Sequence, residues 1–147
     1  MKRILIFASI ALMALVFSCK KDPKPDPTAQ ELIIGRWKAS RAFIGATDVL
    51  VSTSTTENEL EIEFTESKSV LFHRKNTTLT TNPPTVFEST LNGTYSWNGD
   101  IITIIVTAGN DTRTVTGPME ITASHFLFTA TSGDTTDFYS LIEADKL

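Results

Sequence analysis

Few side chains in this sequence could perform covalent or acid–base chemistry, and they lie far apart. Cys19 is the only cysteine, and His73 and His125 are the only histidines. The histidines do not form a zinc-binding His-x-x-x-His spacing, and the sequence has no Gly-x-Ser-x-Gly nucleophile motif and no phosphate-binding glycine loop. We therefore expect a protein that is not an enzyme and has no cofactor, with His73 and His125 at its surface or rim.

A row of acidic residues could suggest a calcium site, because calcium prefers several carboxylate oxygens. The row consists of Glu57, Glu59, Glu61 and Glu63. On one face of a strand these side chains would point in parallel, about 6.7 Å apart, which is twice the rise per residue. They would not converge on one ion, so we expect a solvated outer face and no metal.

The N-terminus has the features of an export signal. Two basic residues precede an apolar run over residues 4–17, which is shorter than the about 20 residues that cross a bilayer as a helix. Such a segment is typical of a cleaved signal peptide, here residues 1–18. Residues 16–19 (VFSC) resemble the lipobox of bacterial lipoproteins. The resemblance implies that Cys19 is acylated, with chains such as palmitate as the membrane anchor. An ordinary signal peptide with an incidental cysteine is the alternative.

Residues 19–30 contain the candidate lipidated cysteine and a tether rich in proline and charge. The tether offers no apolar residue to a core, so it should be extended and solvated. Charged residues directly after the cysteine resemble the signal that sends Bacteroidota lipoproteins to the cell surface. The resemblance implies an outer-membrane lipoprotein of the bacterial envelope. The alternative is a plain solubilising spacer. We therefore expect the domain to be either surface-exposed or periplasmic.

Composition excludes one class of partner. Cleavage of the signal would remove Lys2 and Arg3 from the 13 basic residues and none of the 17 acidic ones, which leaves a net charge of −6. An acidic chain repels phosphate backbones, and no basic patch with interleaved aromatic residues is present, so we expect no nucleic-acid partner. Residues 31–147 are the size of one domain. With no disulfide possible, its stability must come from burial.

The domain alternates between apolar and polar residues with period two, which predicts strands. In the clearest stretch Leu60, Ile62 and Phe64 share one face. Asn98-Gly99 is a strong signal for a two-residue hairpin turn. Short connections and regular spacing predict an all-β fold, a single antiparallel up-and-down β-barrel of about eight strands, because closure removes exposed edges. The predicted strands cover residues 36–44, 59–65, 69–75, 86–91, a segment ending at 98, 101–107, 112–122, 125–130 and 136–142.

Other segments are less regular. Residues 45–58 fit a long loop or a loop that contains a strand at 49–51. Residues 76–84 are predicted to form an exposed loop, and residues 28–34 a short helical turn. Gly117-Pro118 predicts a bulge or a break at a strand edge.

Gly35 and Trp37 form a Gly-x-Trp motif that opens the first strand. With FTESK at residues 64–68 and NGTYSW at residues 92–97, this motif resembles the lipocalin family, and more closely the lipocalin-like lipoproteins of Bacteroidota. The resemblance covers residues 31–147.

The lipocalin resemblance implies structural roles for Gly35 and Trp37. In that family the tryptophan closes one end of the barrel, and an arginine from a late strand stacks across it. The late arginine of this chain is Arg113.

An eight-stranded barrel can fill with side chains or hold one small ligand. The resemblance implies a small apolar or amphiphilic ligand, bound without catalysis. The alternative is a solid core, with a structural or protein-interaction role carried by loops such as 45–58 and 76–84. A pocket below the usual ~300 Å³ would favour the solid core. The predicted ligand-binding residues are Leu60, Phe64, Phe72, Tyr95, Trp97, Phe126 and Phe128.

Two further interpretations concern the surface. Trp97 is the candidate for an exposed aromatic platform that would capture glycans. Asp134-Thr135-Thr136 lies in a predicted turn and resembles the Asp-Thr-x motif that Bacteroidota use for O-glycosylation. This resemblance implies modification at Thr135.

Overall fold

The computed structural model describes residues 25–147. Cys19, the predicted signal peptide and the first part of the tether lie outside the described residues. Within the described residues the first element is a short helix, α1 (Ala29–Leu32), which begins inside the segment predicted as tether. Thr28 and Glu31 form a capping box at its start, in which each side chain bonds the other residue's backbone N–H. The predicted helical turn is therefore confirmed.

Ten strands follow, eight of them long enough to form a wall. They are β1 (Gly35–Ile44), β2 (Thr47–Asp48), β3 (Thr56–Phe64), β4 (Ser69–Thr78), β5 (Thr85–Asn98), β6 (Ile101–Ala108), β7 (Asp111–Ile121), β8 (His125–Thr129), β9 (Ser132–Gly133) and β10 (Tyr139–Lys146).

The wall closes on itself. Antiparallel pairing runs from β1 through β3, β4, β5, β6, β7 and β8 to β10, and β10 pairs back onto β1. This is the predicted single up-and-down barrel of eight strands. The two-residue strands β2 and β9 add to β1 and β7. Closure satisfies the backbone groups that an open sheet would leave at its edges.

Strict alternation places one apolar face inside. Leu60, Ile62 and Phe64 of β3 are buried, whereas Glu57 and Glu63 of the same strand are exposed. The core is wholly apolar: no buried residue in the described part of the chain is polar or charged. The period-two pattern thus predicted the inner face of β3 correctly.

Several predicted boundaries were wrong. The predicted strand at 86–91 and the segment ending at 98 are one strand, β5, and β4 extends to Thr78 into the predicted loop. Only residues 79–84 of that loop connect the two strands. In 45–58 the extra strand is β2 rather than 49–51. The last strand begins at Tyr139 and ends at Lys146, later than predicted, because residues 135–137 form a turn.

Gly117-Pro118 marks a change of partner in β7. Pairing with β6 continues through both residues, but on the other edge β7 pairs with β9 before them and with β8 after them. A Cβ on Gly117 would lie 1.9 Å from the carbonyl oxygen of Thr129, so the backbones approach too closely for a side chain. The predicted break exists on one edge only.

Candidate ligand site at the barrel mouth

The two ends of the barrel differ. We call the end next to α1 the capped end; it includes Trp37 and the turns at 65–68 and 122–124. The opposite end, which we call the mouth, is surrounded by the loop at 45–55, the loop at 79–84 and the segment at 130–138.

Trp37 closes the capped end. Its ring is fully buried, it meets Phe126 edge-on at 5.1 Å, and its Nε1 donates to the carbonyl oxygen of Ile33 at 2.7 Å. Ile33, which follows α1, is itself fully buried. The short helical segment is therefore fixed to the barrel by both a hydrogen bond and apolar packing.

The cation across Trp37 is Lys146, not Arg113. Lys146 lies directly opposite Trp37 in the β1–β10 pairing, and its Nζ is 5.0 Å from the ring centroid. Gly35 makes room for it: a Cβ there would lie 3.2 Å from Lys146 Cε, and its φ of +129° is unfavourable for other residues. The expectation for Arg113 was wrong because Arg113 lies near the start of β7 and lines the mouth, at the opposite end of the barrel from Trp37.

Most of the predicted ligand-binding residues form the packed core. Leu60, Phe64, Phe72, Tyr95, Phe126 and Phe128 are each at most 3% exposed. Edge-on contacts join Phe64 to Tyr95 at 5.1 Å and to Phe126 at 6.0 Å. The Tyr95 hydroxyl donates to the carbonyl oxygen of Thr65 at 2.8 Å. Such packing matches the solid-core alternative for this part of the barrel.

Trp97 is the exception among the predicted lining residues. It is partly buried against the core, and its Nε1 is buried without a hydrogen-bond partner among the described residues. A ring packed in this way is not the exposed platform that the glycan interpretation required. The most exposed aromatic ring in the described chain is that of Phe87, at 68%.

A second aromatic cluster lies at the mouth. Phe72 meets Phe138 edge-on at 5.2 Å and stacks on Tyr139 at 5.5 Å, and all three are buried. Phe138 belongs to the segment before β10, and its N–H donates to the carbonyl oxygen of Asp134 at 2.8 Å. The turn at 134–138 therefore folds an aromatic ring back over the interior.

A pocket of about 160 Å³ lies against this cluster. Phe72 is the only predicted ligand-binding residue that lines it. Its walls combine apolar side chains with two cations, two hydroxyl groups and one carboxylate: Ile44, Phe72, Arg74, Ser89, Leu91, Arg113, Asp137, Phe138 and Tyr139.

A neighbouring pocket of about 240 Å³ continues outward along the extended β4–β5 hairpin. It is lined by Arg74, Asn76, Phe87 and Ser89, so the two pockets share Arg74 and Ser89. Neither alone reaches the ~300 Å³ usual for ligand sites. A ligand of ordinary size would have to occupy both.

Arg74 and Arg113 were not predicted as site residues. Arg74 follows Phe72 by two positions in β4, so strict alternation turns it to the same inner face. Arg113 is likewise two positions before the buried Val115. The alternation was visible in the sequence, but an arginine on an inner face is uncommon, so neither residue was predicted to line the site.

Burial raises the pKa of the Tyr139 phenol, and the nearby Arg74 guanidinium partly opposes that shift. Burial also raises the pKa of Tyr95 at the capped end. The Tyr139 phenol at the mouth is therefore desolvated, and the charge of Arg74 acts on it.

A larger depression, of about 660 Å³, lies at the capped end between α1 and the β3–β4 turn. Its lining is exposed and polar apart from Ile34, and Glu31 within it already caps α1. It lacks the mixture of buried rings and inward cations found at the mouth.

The predicted acidic row lies on the outer wall, among basic residues. Lys38 donates to Glu59 at 2.8 Å, Lys75 lies 3.7 Å from the same carboxylate, and Arg36 pairs with Glu61. The hydrogen bond from Lys38 lowers the pKa of Glu59. Two of the four carboxylates, those of Glu59 and Glu61, thus form ion pairs across the sheet. No cluster of three or more metal-ligating side chains occurs in residues 25–147.

Both histidines also lie on the outer wall. His73 Nδ1 contacts the hydroxyl of Thr90 at 3.2 Å. His125 Nδ1 is 2.9 Å from a carboxylate oxygen of Asp145, and its Nε2 is 3.7 Å from one of Glu143. Neither points into the barrel.

Thr135 lies half-buried in the turn before β10. Its carbonyl oxygen accepts from the Gly45 N–H at 2.8 Å, and the Asp134 carboxylate accepts from the Thr114 N–H at 2.7 Å. The turn is thus tied to both neighbouring segments. Glycosylation at Thr135 stays a prediction, and loss of a glycan mass on Thr135→Ala would support it.

No protein-family model matches this chain, and searches of curated proteins and of solved structures found no match. Among residues 25–147, no helix has the length and apolar character needed to span a membrane.

Proposed function

We propose that this protein is a lipid-anchored lipoprotein of the bacterial envelope, of the lipocalin-like type found in Bacteroidota, that binds a small apolar or amphiphilic molecule without catalysis. Cys19 would carry the lipid, and the barrel would present its mouth to the ligand. The resemblance of the Gly-x-Trp motif to lipocalins and the eight-stranded closed barrel both support this proposal.

The observation that carries the binding role is the mouth itself. Buried rings and inward-facing polar groups line two neighbouring pockets there that share Arg74 and Ser89, whereas the interior below them is packed with side chains. Ligand pockets combine a mostly apolar lining with a few converging polar groups, and the mouth is the part of the described chain that has this combination. We therefore place the site at the mouth rather than among the predicted interior residues.

Two experiments test the proposal. Metabolic labelling with a fatty acid should mark the wild-type protein and fail to mark Cys19→Ala; equal labelling of both would contradict lipid anchoring. Native mass spectrometry of protein purified from the cells that produce it should show a bound small molecule. Wild type without any bound mass, even after gentle extraction, would contradict the binding role.

A second candidate is a protein-interaction role, favoured by a strand segment that has one unpaired edge. β5 pairs with β6 only from Asn92 to Asn98, so within the described chain the backbone of residues 85–91 is paired on one side, with β4. Val86 and Phe87 in this segment are 49% and 68% exposed. A partner could add a strand at such an edge. Glu88→Pro should abolish that binding, and partner binding unaffected by Glu88→Pro would contradict strand addition.

A further inference from the structure

The four arginines in the described part of the chain fall into two groups. Arg36 and Arg41 lie on the outer wall and form ion pairs with Glu61 and Glu143. Arg74 and Arg113 line the mouth pocket, and within residues 25–147 no carboxylate forms an ion pair with either.

The mouth arginines keep most of their hydrogen-bonding capacity. Arg113 donates one N–H to the backbone carbonyl oxygen of Asp137, and no hydrogen bond of the Arg74 guanidinium occurs within the described chain. Each guanidinium has five N–H donors. A half-buried cation is unfavourable unless it is paired, so two such groups in one pocket indicate a missing negative partner.

The chemistry of that partner follows from the guanidinium group. Its planar fork matches the two oxygens of a carboxylate or phosphate, and charge-assisted bonds of this kind are strong. Asp137 also lines the pocket, and its carboxylate would repel an anion placed beside it. The head group of a ligand is therefore expected nearer Arg74 than Asp137.

The rest of the ligand must be apolar. Phe87 lines the adjoining pocket, and its ring is 68% exposed. Phe72 and Leu91 form apolar walls beside the arginines. An aliphatic chain lying over Phe87 would remove this ring from water, which stabilises the complex in proportion to the area covered.

We propose that the barrel mouth binds an amphiphilic anion, whose head group is held by Arg74 and Arg113 and whose apolar chain lies over Phe87. This inference rests on the proposed binding function and names its ligand class. The head group is a carboxylate or a phosphate, and the chain is short enough to fit the two joined pockets.

Isothermal titration calorimetry on the full-length protein in neutral phosphatidylcholine nanodiscs tests this inference. The titrants are octanoate, octyl phosphate and octanol, with heats on empty nanodiscs subtracted. We expect saturable binding of at least one anion and at least tenfold weaker binding of octanol. Arg74→Gln should weaken anion binding about tenfold or more, and Arg113→Gln should weaken it as well. Arg36→Gln, an outer-wall arginine, is the matched control and should leave binding unchanged.

The outcomes separate the inference from the function on which it rests. Equal binding of octanol and both anions, or binding unaffected by Arg74→Gln and Arg113→Gln, would overturn the anionic head group and leave a binding protein for apolar molecules. Binding of none of the three compounds would contradict the proposed function and this inference together. Tighter binding of octanoate than octyl phosphate would assign a carboxylate head, and the reverse a phosphate.

Discussion

The capped end and the mouth of this barrel contain similar aromatic rings, but the hydrogen-bond and ion-pair partners of their polar groups differ. At the capped end Trp37 and Tyr95 each donate to a backbone carbonyl oxygen, at 2.7 and 2.8 Å, and Lys146 lies over the Trp37 ring. At the mouth neither Arg74 nor Arg113 forms an ion pair with a carboxylate of the described chain, and Phe87 is largely exposed.

This difference indicates a division of roles. At the capped end the buried donors of Trp37 and Tyr95 are satisfied and contribute stability, although the buried Nε1 of Trp97 has no partner in the described chain. At the mouth, two cations without an ion pair and an exposed ring contribute less to stability. Unpaired charges and exposed rings of this kind are typical of sites that complete their contacts with a ligand. Substitutions at the capped end should therefore act mainly on folding, and substitutions at the mouth mainly on binding.

Removal of the capping ring should give the largest effect. Trp37→Ala should lower the free energy of unfolding by about 3–5 kcal/mol, because the ring is fully buried and leaves a cavity. Urea denaturation measures the change. Phe87→Ala at the mouth is the matched control and should shift stability by about 0.5 kcal/mol or less, since its ring is mostly exposed. Equal losses for the two variants would remove the contrast between the ends.

Two glycine substitutions also compare the capped end with the mouth. Gly35→Ala should lower stability by about 2–3 kcal/mol, because its φ of +129° is strained for alanine and its Cβ would press on Lys146. Gly109→Ala, in the turn at the mouth, has a φ of +64° and open space around it. It should lower stability by about 1 kcal/mol. Thermal melts that rank Gly109→Ala as the more damaging change would contradict this account of the capped end.

The charge over Trp37 should contribute less. Lys146→Met keeps the aliphatic stem but removes the cation–π contact and the donor to the Leu32 carbonyl oxygen. We expect a loss of about 0.5–1 kcal/mol. Lys75→Met, which removes a 3.7 Å surface ion pair with Glu59, is the control and should change stability by less. No difference between the two variants in urea midpoints would argue against a role for the stacked cation.

Alkaline pH should produce the smallest of these effects. The pKa of Tyr139 is raised in the folded barrel, so its neutral form stabilises the fold fully below its unfolded pKa of about 10. That contribution is lost as pH rises from there through the folded pKa. Tyr139→Phe should make the fall in stability above about pH 10 shallower than in wild type. An identical pH profile would show that Tyr139 ionisation is not coupled to unfolding.

Alternation along the strands was enough to predict the barrel. Leu60, Ile62 and Phe64 are inside as expected, because one face of each strand must leave water for the fold to be stable. Alternation did not predict where each strand ends. Lys146 was missed because the last strand continues past Ile142, where charged residues weaken the apolar pattern.

The site was harder to predict than the fold. Phe64 and Phe126 were expected around a ligand, but ring–ring packing across the barrel fills that space. Whether the interior is filled depends on contacts between strands that are distant in the sequence, and the alternation within one strand does not reveal those contacts. Arg74 was overlooked because a charge on an inner face is unfavourable in most barrels. Its inward direction follows from its position two residues after Phe72, and the pocket at the mouth accommodates it.

Photo-crosslinking with a diazirine analogue of octanoate, followed by peptide mass spectrometry, shows whether ligand binds at the mouth and nowhere else on the barrel. We expect adducts in peptides containing residues 72–74, 87–91 and 137–139, suppressed by excess octanoate. Adducts that excess octanoate suppresses, but that lie only at the capped end around Trp37 or only on the outer wall around Glu59 and Glu61, would contradict binding at the mouth.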